Sequence, residues 1–233
     1  MKKVLVALTV LLTVAGFASA NTIDVNSTAA SNGTYGLEVN YDGAASLAYV
    51  QSSNSGGNPH PWSDETGIKI SFIIDPGGQQ TNPGQMTMGN PGNVRIVNLF
   101  EGFIAQGVRV VLFLKKGEDV DTWRFAAYVR EDGTGYKFAG EGYLTGLQAY
   151  SATLVEIEWK ASSAPGANDG YIKATRTLQG GGGFPTFTIF DKQGLDNDTH
   201  VLNIMRLGSP STNEVGAPAG SCYLDDVSIV RLP

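Results

Sequence analysis

Glu156 and Glu158 stand two apart in Val155-Glu156-Ile157-Glu158-Trp159-Lys160, a run in which apolar and polar residues alternate. On a strand that spacing puts both carboxylates on one face, about 6.5–7 Å apart. Glycosidases work with paired carboxyls about 5–5.5 Å apart when retaining and about 6.5–9.5 Å apart when inverting. Acid–base cleavage of a sugar bond is therefore the first chemistry these residues suggest. The competing reading is the polar side of a strand whose Val155, Ile157 and Trp159 fill a core. Two carboxylates without a neighbour that raises one pKa do not make an acid–base pair. Glu156 and Glu158 are thus the catalytic candidates of a chain whose reading leans against an enzyme.

A second group of residues offers oxygen. Asp196, Asn197 and Asp198 share one short stretch, Asn168 and Asp169 another, and Asp225 and Asp226 lie near the end. Calcium takes six to eight hard oxygens, and these groups with carbonyls and water would suffice for a structural ion. The alternative is turn-making, in which Asx side chains bond their own backbone. Adjacent acids on a strand face opposite ways, so one of Asp225 and Asp226 points inward and needs a cation or several donors. A third group could stack on sugar. Trp62 lies with His60 in Asn58-Pro59-His60-Pro61-Trp62, and Tyr49, Tyr136 and Tyr143 are further exposed-ring candidates.

Other chemistries lack their residues. There is no Gly-x-Ser-x-Gly elbow, and neither His60 nor His200 neighbours one. No set of three or four zinc ligands occurs at fixed spacing. The single Cys excludes a disulfide scaffold and an iron–sulfur cluster, and Cys222 reads as a small buried residue. Net charge −6 argues against a nucleic-acid partner, which needs a basic face.

The elements that must position these groups are strands. Ile68–Phe72, Leu37–Tyr41, Trp123–Arg130 and Val155–Lys160 all alternate apolar with polar residues. Val108–Leu114 is apolar on both faces, as a central strand covered on each side would be. Further strands are expected at 22–25, 45–51, 94–99, 135–143, 171–178, 184–190, 200–207 and 221–231. Turn signals such as Asn32-Gly33, Asp42-Gly43, Asp75-Pro76-Gly77-Gly78 and Asp132-Gly133 separate them. Leu99–Gln106 is the best helical window. About a dozen strands at this spacing specify an all-β sandwich or barrel in one domain.

Met1–Ala20 reads as an export signal. Lys2 and Lys3 precede an apolar run, and Ala18-Ser19-Ala20 offers the small-x-small cleavage pattern. The run is shorter than the ~20 residues of a membrane span. Removal leaves residues 21–233 as the sandwich domain, with 14 basic against 22 acidic residues and a net charge of −8. The expected mature protein is secreted, to the cell surface, medium or periplasm, with no span left.

Specific wording adds to this pattern. Asn32-Gly33-Thr34-Tyr35-Gly36-Leu37-Glu38-Val39 comes early. Val155–Ala161 leads into Ala164-Pro165-Gly166-Ala167-Asn168-Asp169-Gly170. Gly194-Leu195-Asp196-Asn197-Asp198-Thr199, Arg206-Leu207-Gly208 and Tyr223-Leu224-Asp225-Asp226-Val227-Ser228 follow in order. The chain resembles exported bacterial proteins with a concanavalin A-like (laminin G-like) jelly roll. That resemblance implies a single antiparallel jelly-roll β-sandwich of the lectin and glucanase type, often with a structural calcium. Glucanases of this kind carry a third acid after the pair, whereas Lys160 and Ala161 stand here. The leading expectation is a secreted, non-catalytic carbohydrate-binding module. One alternative is a self-associating matrix, coat or filament subunit, and another is a glycoside hydrolase or polysaccharide lyase.

Overall fold

The computed structural model describes residues 20–31, 33–43, 46–52, 64–76, 86–89, 91–101, 107–116, 122–144, 152–179, 183–212 and 214–233. Thirteen strands run through them: β1 (Thr22–Asn26), β2 (Gly36–Asp42), β3 (Ala48–Gln51), β4 (Gly67–Asp75), β5 (Asn93–Glu101), β6 (Gly107–Lys116), β7 (Trp123–Arg130), β8 (Tyr136–Tyr143), β9 (Thr153–Lys160), β10 (Gly170–Leu178), β11 (Phe187–Leu195), β12 (Ile204–Ser209) and β13 (Ala219–Arg231). They form two antiparallel sheets. The seven-stranded sheet has the order β1-β2-β13-β4-β9-β10-β11, and the six-stranded sheet β3-β12-β5-β6-β7-β8. The order jumps back and forth along the chain, as in a jelly roll, where successive strands cross between the layers.

Alternation decides which side chains fill the space between the sheets. Ile68, Ile70, Phe72 and Ile74 of β4 and Val155, Ile157 and Trp159 of β9 point inward from one layer. Val110, Leu112 and Leu114 of β6 and Trp123, Phe125, Ala127 and Val129 of β7 meet them from the other. Phe72 and Phe125 touch across the gap, their ring centroids 6.3 Å apart. Each such side chain contributes about 1.5–3 kcal/mol on leaving water. Cys222 lies in this interior as a free thiol, and burial pushes its pKa up.

Along one flank the layers close directly, β8 against β11. A Cβ on Gly140 would sit 2.4 Å from Phe190 Cβ, and one on Gly142 2.5 Å from the Ile189 carbonyl oxygen. These two positions must be glycine for the layers to approach so closely.

Some elements differ from the sequence expectation. β11 extends to Leu195 rather than ending at 190, and β12 begins at Ile204 rather than 200. Between them the chain turns with its carbonyls and side chains bonded locally, as in the amide of His200 donating to the carbonyl of Asn197. Leu99–Glu101 are the end of β5, because Leu99 pairs with Met205 and Phe100 with Ile204. The remainder of that helical window, 102–106, lies outside the described residues. Among the described residues β6 is covered by a sheet on one face only, with Val111, Phe113 and Lys115 on the outside of the sandwich.

Candidate functional site

The outer face of the six-stranded sheet carries a concentration of rings and cations. Because Trp123, Phe125, Ala127 and Val129 point inward, Arg124, Ala126, Tyr128 and Arg130 must point outward. Strand β8 places Tyr143 opposite Arg124, Glu141 opposite Ala126, Phe138 opposite Tyr128 and Tyr136 opposite Arg130. Strand β6 adds Arg109, Val111, Phe113 and Lys115, and β5 adds Asn93 and Arg95. Asn93, Arg95, Val111, Phe113, Lys115, Tyr128 and Tyr136 line an open pocket of about 300 Å³.

The rings form a connected row. Phe113 meets Tyr128 edge-on at 5.6 Å, and Tyr128 meets Phe138 at 5.3 Å. Such contacts fix the ring planes while leaving a face or edge open to a ligand. Phe138 is 51% exposed and Tyr136 48% exposed. The Arg95 guanidinium lies over the Phe113 ring at 5.5 Å, and its Nε, shut off from water, has no hydrogen-bond partner among the described residues. The Tyr136 hydroxyl donates to the Val108 carbonyl at 2.8 Å, which pins that ring. Burial raises the Tyr136 pKa, against the pull of the nearby Arg95, Arg130 and Arg109 charges.

Charges beside the pocket are partly neutralised. Glu141 accepts from Lys115 and, at 2.9 Å, from Arg124, whose guanidinium also lies 5.0 Å from the Tyr143 ring. Arg109 pairs with Glu101 at 2.6 Å. Farther along the sheet Arg206 lies between Tyr49 at 4.5 Å and Phe100 at 4.7 Å, and donates to Gln51 at 2.7 Å. Among the described residues, Arg95, Arg109, Lys115, Arg124, Arg130 and Arg206 thus stand on this face against Glu101 and Glu141. Its described residues are in basic excess, on an acidic protein.

Of the ring candidates, Tyr136 lies in the pocket, and Tyr143 stands beside it on the same strand. Tyr49 lies on the same sheet at β3 under Arg206, with its ring already covered by a cation. Trp62 and His60 lie outside the described residues. Arg95, Phe113 and Tyr128 were missed by the sequence reading. The signal that could have found Phe113 is β6 itself, whose outward Val111 and Phe113 are apolar between Arg109 and Lys115.

Glu156 and Glu158 lie on the opposite side of the molecule, on the outer face of the seven-stranded sheet. Lys69 Nζ reaches Glu156 at 2.7 Å and Glu158 at 3.8 Å. The Lys69 pKa is raised, first by the hydrogen bond to Glu156 and then by the charges of both glutamates, against some desolvation. Lys173, Thr175 and Thr186 complete a shallow depression there with no aromatic ring.

The acidic candidates separate into different roles. Asp225 Oδ2 accepts the Ser31 amide at 2.7 Å and Oδ1 the Asp226 amide at 2.8 Å, so it tethers the segment after β1 to the last strand. Asp226 does not continue the alternation, since it takes φ 49° at a bulge between Asp225 and Ser228. Asn197 is fully buried, and its Oδ1 accepts the Ser162 amide at 2.8 Å. Asp169 accepts the Ser163 amide at 2.7 Å and the Ser162 hydroxyl at 2.8 Å, which lowers its pKa to about 2. Asp196 and Asp198 instead converge with Asp132, a residue of the β7–β8 turn that sequence proximity could not supply.

No family model matches the chain, and no curated protein is similar to it in sequence. Solved structures are similar in fold. An endo-β-1,4-glucuronan lyase from the fungus Trichoderma reesei superposes with TM-score 0.54 at 12% identity, over 92% of this chain and 89% of that one. An alginate lyase from Pseudomonas aeruginosa gives TM-score 0.41 at 11% identity over 84% and 83%. The glycoside hydrolase family 131 catalytic domain from Coprinopsis cinerea gives 0.42 at 11% over 91% and 78%. The fold is therefore an all-β jelly-roll sandwich of the concanavalin-like type, shared with the glucuronan lyase. No helix among the described residues is long and apolar enough to cross a membrane.

Proposed function

We propose that this is an exported carbohydrate-binding protein whose ligand is an acidic polysaccharide, held on the outer face of the six-stranded sheet. The observation that carries this reading is Arg95, whose guanidinium lies against Phe113 in the lining of an aromatic-walled pocket. A guanidinium is shaped to hold a carboxylate with two parallel bonds. Tyr128, Phe113 and Tyr136 supply apolar ring surface for the C–H faces of a sugar, and Asn93 an amide for its hydroxyls. Lys115 and Arg124, bridged by Glu141, extend the basic strip along the sheet, as a polymer with repeated carboxylates requires. The similarity of fold to a lyase that acts on glucuronan is consistent with a uronate ligand.

Calorimetric titration of the mature protein with polyglucuronate oligomers and with neutral β-1,4-glucan oligomers tests this. Binding of the uronate chain alone is expected, and it weakens about tenfold or more in Arg95→Ala. Equal binding of both, or of neither, overturns the reading. Ultraviolet absorbance from new unsaturated ends during the same incubation would convert the binding module into a lyase acting at the same pocket.

A further inference from the structure

The acidic cluster at one end of the sandwich is independent of the glycan face. Asp132 belongs to the turn between β7 and β8 in the six-stranded sheet. Asp196 and Asp198 follow β11, as the chain leaves the seven-stranded sheet. One carboxylate oxygen from each lies within 4.8 Å of the other two. Ligands around one calcium at about 2.3–2.6 Å cannot be farther apart than roughly twice that distance, so these oxygens fit a single ion. The two segments are already tied by the Asp132 amide donating to the Asp196 carbonyl at 2.8 Å.

Three carboxylates so close repel one another, and two further atoms show that something is missing. Asp196 Oδ1 is shut off from water and has no hydrogen-bond partner among the described residues. His200 is only 7% exposed, and its Nε2 also has no hydrogen-bond partner, although it lies 3.3 Å from Asp132 Oδ1. Its Nδ1 lies 3.5 Å from Glu101 Oε2. Nε2 faces Asp132 Oδ1, which already accepts the Thr199 hydroxyl. A hydrated cation at the cluster neutralises the carboxylates and places a water of its own shell beside Nε2. Buried polar atoms without partners cost stability, so they mark where a partner belongs.

We propose that Asp132, Asp196 and Asp198 bind one hard divalent cation of the calcium class, with His200 Nε2 receiving a hydrogen bond from a water on that ion. The ion fastens the β7–β8 turn to the loop after β11 and so clamps one sheet to the other. Oxygen-only direct ligands, open on one side to water, select calcium over softer metals.

The test is calcium titration of the chelator-treated full mature protein, followed by calorimetry and thermal melting. One saturable site is expected, with a Kd of roughly 10⁻⁴–10⁻³ M, in the range of extracellular calcium modules, and a higher Tm in calcium. Asp198→Asn, at the solvent edge of the cluster, keeps the fold and weakens binding about tenfold or more. In ion-free buffer the same variant melts no lower than the parent, because a repelling charge has gone. Asp169→Asn, on a different loop, binds calcium as the parent does. No saturable binding at ~10 mM calcium, or undiminished binding by both Asp198→Asn and Asp132→Asn, overturns the proposal.

Discussion

The two outer faces of the sandwich are built by the same rule and come out different. On the seven-stranded side, Lys69 lies between Glu156 and Glu158, beside Lys173 and Thr175. Charges there are matched on neighbouring strands, and the depression between them is lined by no ring. On the six-stranded side, Arg95 lies on a phenylalanine, with a row of exposed rings and, among the described residues, cations in excess of acids. A face that only needs to be soluble pairs its charges across strands. A face left with unpaired cations and half-exposed rings has a cost that a bound ligand can offset.

The sharpest way to break this contrast acts on β8, which carries Tyr136, Phe138 and Tyr143. Gly140→Ala pushes a Cβ into Phe190 and should cost about 1–3 kcal/mol in urea unfolding. It should also weaken uronate binding, since the strand must move outward. Next in size is Arg95→Ala, expected to lose about tenfold in affinity, or roughly 1.4 kcal/mol, with little change in Tm. Binding by the parent should weaken several-fold between ~0.05 and ~0.5 M salt, because the face is partly exposed to screening.

Smaller effects belong to the loop and to the opposite face. The depressed Asp169 pKa contributes stability that is fully present above the unfolded carboxylate value of ~3.9 and is lost as pH falls through about 2. Carbon-detected NMR titration should find that midpoint, and Asp169→Asn should flatten the acid limb of the stability profile. Least of all, Glu156→Gln with Glu158→Gln should change stability by about 0–1 kcal/mol and leave glycan binding within roughly twofold. A large loss of binding in that double variant would move the functional face to the other sheet.

Much of the fold was legible because alternation reports burial residue by residue. β4, β7 and β9 lie where their period-two patterns place them, and Trp123 and Trp159 fill the core. β11 and β12 were misjudged because Gly194, Asp196 and Asp198 read as turn residues, and the pattern does not say on which side of a turn a strand stops. The site was less legible. Tyr136 was visible as an exposed ring, but Arg95 and Phe113 are joined by cross-strand register, which no local pattern carries. Asp132 meets Asp196 and Asp198 only through the packing of two layers, some sixty residues apart in sequence.

The lone thiol at Cys222 gives the interior a built-in witness. It is shut away near the start of β13, opposite Val39 of β2, so a thiol reagent can reach it only when the layer opens there. Its labelling rate therefore measures how often the seven-stranded layer opens. Comparing that rate with and without uronate, and with and without calcium, would tell how far each end of the molecule is felt in the middle.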